Sequence, residues 1–280
     1  PFLHFFDGFR TSHEIQKIEL IDEDKLKEMI SEKALQNFRK RALNPDAPVT
    51  RGTAQNPDVF FQNTEARNKY YSEVDDIVAR YMGEISELTG RDYRPFDFYG
   101  DPKAENIIIA MGSVTETVKG VVDKLVAEGK KVGLMIVRLY RPFSAKYFFK
   151  ALPKTVKKIA VLDRCKEPGA LGEPLYLDIK ALFQGEENAP VIVGGRFGLS
   201  SKDTTPSQIL AVYENLEAKE PKTNFTIGIV DDVTFLSLPQ KEEFSIVKKG
   251  TTECRFYGLG SDGTVGANKN TIKIIGDNTT

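Results

Sequence analysis

Ile107-Ile108-Ile109-Ala110-Met111-Gly112-Ser113-Val114-Thr115-Glu116 is the stretch that decides the fold. Its first half is apolar without alternation, which is the pattern of a strand buried on both faces of a parallel sheet. Ser113, with Glu116 three residues on, reads as a capping box that starts a helix. That helix runs over 114–128 and stops at Gly129. Further along the chain the same alternation repeats. Residues 132–137 read as a second strand and 146–152 as a short helix. Residues 159–162 read as a third strand and 176–183 as another helix. Residues 190–194 read as a fourth strand, and 206–216 as a helix with Pro206 at its start. Strands alternating with helices predict a parallel sheet with right-handed crossovers. The fold class is therefore α/β over 102–220, with helices on both faces of the sheet.

The flanks have a different texture. Residues 1–21 read as a strand, a turn and another strand, with Phe2, Leu3, Phe5 and Phe6 leading. A helix is expected over 23–38, where Leu26, Met29, Ile30 and Leu35 recur at helical spacing. Residues 39–61 hold Pro45, Pro48 and Pro57 and read as a linker. Residues 68–88 read as a second helix, and 89–101 as a second linker. Past 224, residues 225–230, 244–247 and 254–257 read as strands.

Composition excludes several classes. The chain has 280 residues, a net charge of −1 and two cysteines, Cys165 and Cys254. Near-zero charge gives no electrostatic case for nucleic acid or an anionic membrane. No apolar run approaches the ~18 residues of a membrane helix. Two cysteines and two histidines, His4 and His13, supply no zinc or iron–sulfur ligand set. Such sparse cysteine usage fits a reducing cytoplasm. The chain opens at Pro1 without Met and stops at Thr280 soon after a new motif begins. Both ends read as cuts through larger domains, so a fragment of a longer polypeptide is expected.

That motif is Tyr257-Gly258-Leu259-Gly260-Ser261-Asp262-Gly263-Thr264-Val265-Gly266-Ala267-Asn268-Lys269. Glycines let a backbone turn tightly and approach a ligand. Exposed N–H groups that open a helix attract anions. Ser261, Thr264 and Lys269 add hydroxyls and a cation. The string is not a Walker loop, since the Gly-Lys-Ser/Thr ending is absent. Gly258, Gly260 and Gly263 match a dinucleotide fingerprint, but the acidic residue expected ~20 positions on would lie beyond Thr280, so the match is incomplete. Two readings stand: a seat for a phosphate-bearing ligand, or a tight strand–helix turn with no ligand. Asp262 would repel a phosphate unless it caps the following helix.

Five strings, in order, are FDGFRTSHE at 6–14, RGTAQNPDVFFQNTEARNKYY at 51–71, VRLYRPF at 137–143, VLDRCKEPGALGEPLY at 161–176 and YGLGSDGTVGANK at 257–269. Together they resemble pyruvate:ferredoxin (flavodoxin) oxidoreductase, over essentially the whole chain. The resemblance implies a multidomain, homodimeric, cytoplasmic enzyme carrying thiamine diphosphate, Mg2+ and 4Fe-4S clusters. Such an enzyme oxidatively decarboxylates pyruvate with coenzyme A and reduces ferredoxin or flavodoxin. It implies that residues 1–43 are the tail of a thiamine pyrimidine-binding domain and 44–101 an interdomain linker with a helix. Residues 102–220 would be a parallel-sheet domain like the C-terminal domain of transketolase, and 221–280 the opening of a CoA-associated third domain. Partners would be the remaining domains of the same polypeptide, with no nucleic acid and no membrane.

The resemblance also directs the site expectations. No catalytic or metal residue is assigned to the segment. Gly258, Gly260, Ser261, Gly263, Thr264, Gly266, Asn268 and Lys269 are the candidate CoA phosphate residues. Arg164, Lys166, Glu167 and Glu173 are expected in an interdomain salt-bridge network rather than on substrate, and Arg138 and Arg141 likewise. His13 is read as a packed or interface residue, and both cysteines as inert core thiols. Alone, the segment is expected to be inactive. A related 2-oxoacid oxidoreductase and a non-catalytic structural module are the alternatives.

Overall fold

The computed structural model describes residues 3–8, 10–13, 15, 17–50, 54–240 and 244–279. Phe2, Glu14, Arg51, Gly52 and Thr53, named in the sequence reading, lie outside the described residues, as do both chain ends. The chain divides into two units, one of residues 18–95 and one of 1–17 with 96–280.

In chain order the helices are α1 (Arg10–His13), α2 (Glu23–Glu28), α3 (Glu32–Arg39), α4 (Pro57–Glu65), α5 (Asn68–Tyr71), α6 (Val74–Thr89), α7 (Val114–Ala127), α8 (Ala145–Ala151), α9 (Pro174–Leu182), α10 (Pro206–Glu217) and α11 (Thr264–Asn278). The strands are β1 (Phe96–Gly100), β2 (Asn106–Ala110), β3 (Val132–Val137), β4 (Lys158–Asp163), β5 (Val191–Arg196) and β6 (Phe225–Thr226). All four expected strands are present. They form a single sheet in the order β1-β3-β2-β4-β5-β6, in which every pairing but one is parallel.

The exception is β1, which pairs antiparallel with β3 inside residues read as linker. An edge strand needs only one buried face, so it lacks the continuous apolar run that marks the inner strands. In β2 successive side chains go to opposite faces. Ile108 and Ala110 join α7 and α10 in one core. Ile107 and Ile109 join α8 and α9 in the other. Neither face of the central strands is open to water.

Other differences have local causes. The helix expected over 23–38 is two helices, because Ser31 leaves helical geometry at ψ 102 and its hydroxyl accepts the Ala34 N–H at 3.3 Å. The helix expected over 68–88 breaks after Tyr71, where the Ser72 hydroxyl donates to the Lys69 carbonyl at 2.9 Å. Within the linker of 39–61 the structure starts α4, with Pro57 in its first turn. The described part of 1–21 contains α1 and no ladder strand.

Past 224 the strands are shorter than expected. β6 stops at Thr226, two residues before Gly228 turns left-handed at φ +84. Residues 244–247 form no ladder; Phe244 and Ile246 pack against the α7–α10 core instead. Ile246 lies so close over α7 that a Cβ on Gly120 would meet its Cδ1 at 2.5 Å. Residues 254–257 are exposed and unpaired with any strand.

Candidate functional site

The sheet has one place where ligands usually bind. β2 and β4 are neighbours, yet the chain leaves β2 for α7 on one face and β4 for α9 on the other. Diverging connections open a crevice at the C-terminal ends of the strands. The loop after β2 brings Gly112 and Ser113 there, and the loop after β4 brings Arg164. Asp7 fills the space between them. One of its carboxylate oxygens accepts the Ser113 N–H at 2.6 Å, and the other accepts from Arg164 Nη1 at 2.8 Å. Arg164 also donates Nε to the Gly198 carbonyl at 2.9 Å and Nη2 to the Ser201 hydroxyl at 3.3 Å. Gly112 has φ +82, and a Cβ there would sit 2.7 Å from an Asp7 oxygen. Burial alone pushes the Asp7 carboxyl up, but the hydrogen bonds from Ser113 and Arg164 outweigh it and leave the group below its usual range.

The expected capping box is therefore a different device. Ser113 is already helical at φ −63 and ψ −27, and its side chain caps nothing. The oxygen at the start of α7 comes from Asp7. The ion pair of Arg164 links it to Asp7 of the N-terminal segment, inside the same compact unit rather than between the two units. Glu173 pairs within the α/β unit, with Arg196 Nη1 at 3.3 Å. Lys166 and Glu167 lie exposed on the loop, without an ion pair among the described residues.

Charged groups around the crevice pair with neighbours inside the chain, except that Glu173 Oε2 is buried without a hydrogen-bond partner among the described residues. Asp163 is 4% exposed and accepts the N–H groups of Leu175 at 3.0 Å and Tyr176 at 3.1 Å, which open α9. Burial pushes its carboxyl up to about 6, against those hydrogen bonds and with Glu173 and Asp178 adding repulsion. Arg196 donates Nη2 to the Asn224 carbonyl at 2.8 Å. Arg138 pairs with Asp97 on β1. Arg141 pairs with Asp178 at 2.8 Å and stacks over Tyr140. Burial raises the Cys165 thiol to about 11, so it stays protonated and unreactive at neutral pH. Cys254 is exposed rather than in a core. His13 is exposed too, with Nδ1 at 3.1 Å from the Ser12 hydroxyl.

The glycine-rich stretch is a turn that opens α11. Gly260, Ser261 and Gly263 have φ of +80, +53 and +84. Gly258 has another constraint, since a Cβ there would collide with the Thr264 hydroxyl. Asp262 accepts the N–H of Leu259 and the N–H of Thr264, both at 3.0 Å, which is the capping role expected of it. The Thr264 hydroxyl and amide hold its carboxyl down to about 2. α11 begins at Thr264, so Gly266, Asn268 and Lys269 lie on the helix and not in the loop. Lys269 stands roughly 7.5 Å up the axis from Thr264. The eight candidate residues thus divide into a turn and two helical turns beyond it.

Among the described residues no group of three or more His, Cys, Asp or Glu side chains could hold a metal ion. No described helix is long and apolar enough to cross a membrane.

Two families match the sequence. One, described as pyruvate flavodoxin/ferredoxin oxidoreductase, thiamine diphosphate-binding, covers residues 1–83. The other, described as pyruvate:ferredoxin oxidoreductase core domain II, covers residues 104–209. The chain is 58% identical over 280 residues to a pyruvate-flavodoxin oxidoreductase of Enterobacter agglomerans, covering 100% of this chain and 24% of that protein. It is 55% identical over 279 residues to a pyruvate:ferredoxin oxidoreductase of Moorella thermoacetica, again covering 100% of this chain and 24% of the relative. A solved 2-oxoglutarate:ferredoxin oxidoreductase from Magnetococcus marinus aligns with 48% of this chain and 21% of its own, at 22% identity and TM-score 0.34. The chain spans about a quarter of the length of the curated relatives it matches. With these matches running through both units, the chain belongs to the pyruvate:ferredoxin (flavodoxin) oxidoreductase family and carries one segment of such an enzyme.

Proposed function

We propose that this segment works within an enzyme that oxidatively decarboxylates pyruvate with coenzyme A, giving acetyl-CoA and carbon dioxide and passing electrons to ferredoxin or flavodoxin. The observation that carries this reading is an overall identity of 58% over 280 residues and 55% over 279 residues to a pyruvate-flavodoxin and a pyruvate:ferredoxin oxidoreductase, each match covering 100% of the chain. The proposed division is a pyrimidine-domain tail at 1–43, a linker at 44–101, the transketolase-like domain at 102–220 and the start of a CoA-associated domain at 221–280. The complete enzyme is proposed to be a cytoplasmic homodimer.

In such enzymes thiamine diphosphate supplies the electron sink for decarboxylation. Among the described residues no group of three or more His, Cys, Asp or Glu side chains could hold a metal ion, so no Mg2+ ligand is assigned to them. A 4Fe-4S cluster takes four thiolates, and the chain has two cysteines. The residues of this segment are given no step through either group. Their proposed work is scaffolding by the sheet and binding by the glycine-rich turn. There, left-handed residues 260, 261 and 263 shape the backbone, the Thr264 hydroxyl donates to Asp262 and holds the turn, and Lys269 contributes a cation toward the CoA phosphates.

The test is made in the full-length enzyme. Lys269→Ala is expected to raise the KM for CoA and leave pyruvate-dependent cluster reduction before CoA addition intact. Gly263→Val should do the same, although it also strains the left-handed turn. Unchanged CoA kinetics in Lys269→Ala would reduce the motif to a turn. The 280-residue segment alone is expected to reduce no viologen with pyruvate; measurable reduction would overturn its assignment as an incomplete part.

A further inference from the structure

The crevice between β2 and β4 has the components of an anion site. Gly112 lacks the Cβ that would fill it, the Ser113 N–H opens a helix of 14 residues, and Arg164 presents a guanidinium. Both groups bind the same carboxylate, which arrives from another part of the chain: Asp7 is 106 residues from Ser113 and 157 from Arg164. Arg164 is itself held in place, with Nε on the Gly198 carbonyl and Nη2 on the Ser201 hydroxyl. A guanidinium oriented by two further acceptors is a preorganised receptor, not a surface charge that found a partner by chance.

We propose that the switch-point crevice is a carboxylate-binding site whose ligand is the chain's own Asp7. The N-terminal segment thereby latches onto the α/β unit at the position where related sheet architectures bind small molecules. Three consequences follow from the chemistry. The crevice takes no substrate while the latch is closed. The signature strings around Asp7 and Arg164 act as one unit despite their separation. Removing the carboxylate leaves a seat of defined chemistry, able to accept a small carboxylate from solution.

The experiment uses the 280-residue chain and the Ser113 backbone amide as reporter. Asp7→Ala is expected to shift the Ser113 amide resonance and to speed its hydrogen exchange by about tenfold or more, as loss of a charge-assisted bond implies. Sodium acetate should then restore the wild-type shift saturably, while sodium chloride at equal ionic strength should not. In Asp7→Ala/Arg164→Met the acetate response should vanish. The Gly198 amide, on the other side of Arg164, should follow acetate in step with Ser113. If Asp7→Ala does not fold, Asp7→Asn keeps the size without the charge and is read the same way. An unmoved Ser113 amide in a folded Asp7 variant overturns the latch. Equal responses to acetate and chloride, or an acetate response that survives loss of Arg164, overturn the carboxylate site.

Discussion

Helices α7 and α11 start alike. Each follows a glycine in the left-handed region, Gly112 at φ +82 and Gly263 at φ +84, and each has an aspartate oxygen on an amide of its first turn or the residue before it. There the likeness ends. Asp262 is local to α11, whereas Asp7 reaches α7 from 106 residues away. α7 buries Val114, Thr115, Val118, Val121, Val122 and Leu125, and α11 buries none of its residues completely. Cap chemistry starts a helix, but an isolated helix of this length is marginal in water, and burial of an apolar face supplies most of the stability. Only α7 has a sheet beneath it.

The largest test of that contrast compares isoleucines. Ile108 on β2 is fully buried in the α7–α10 core, while Ile274 on α11 is 63% exposed. Ile108→Ala is expected to cost about 2–5 kcal/mol, the range for emptying a packed site. Ile274→Ala should stay within about 0.5 kcal/mol, as surface substitutions do. Denaturant midpoints of the 280-residue chain measure both. Equal losses would mean that α11 is packed as firmly as α7.

The same contrast explains what was legible in the sequence. The inner strands were readable because burial on both faces forces an uninterrupted apolar run, as in Ile107-Ile108-Ile109. β1 had only a period-two trace, Phe96 and Phe98 around Asp97, and an edge strand leaves no stronger one. The Asp262 cap was readable because its partners lie within three residues of it. The Asp7 latch was not, because nothing local to Asp7, Ser113 or Arg164 encodes their meeting; the sheet topology does. Ser113 and Glu116 looked like a cap because the spacing was right, but a closer carboxylate took the amide. The strands expected over 244–247 and 254–257 failed for a related reason: strand propensity gives no ladder without a neighbouring edge to pair with.

A second test uses pH and two carboxylates, Asp163 at the end of β4 and Asp7 in the crevice. The buried Asp163 ionises at about 6, above its usual range, so its protonated form is the one the native state favours. Its contribution is present below about pH 4 and is lost as pH rises through 6, on the order of 3 kcal/mol across that window. Asp7 has the opposite sign: its carboxyl is lowered, so its contribution is present above the usual carboxylate range and is lost as pH falls through its native value. Stability measured from pH 4 to 7 should therefore fall less steeply in Asp163→Asn than in the parent. Asp7→Asn should instead remove a loss confined to the acid side. Parallel profiles for Asp163→Asn and the parent would contradict the burial of Asp163.

The smallest expected effect belongs to Asp262→Ala. This side chain is exposed and holds only its own turn, through the amides of Leu259 and Thr264. Losing an N-terminal cap lowers the stability of the helix it starts. Because α11 has no completely buried residue, that loss is not transmitted to the sheet. Amide exchange over 264–267 should rise several-fold, while the global unfolding midpoint and the Ser113 amide stay unchanged. Asp262→Asn, which keeps one acceptor, should recover part of the protection. The substitution also separates the two readings of the glycine-rich turn. If Asp262 serves only to hold the turn, its loss weakens CoA binding in the full-length enzyme along with the turn's order. If it instead stands against a phosphate, removing its charge lowers the KM for CoA even as α11 frays. A shift of the global midpoint would show that α11 is coupled to the core, and the contrast between the two helices would fail.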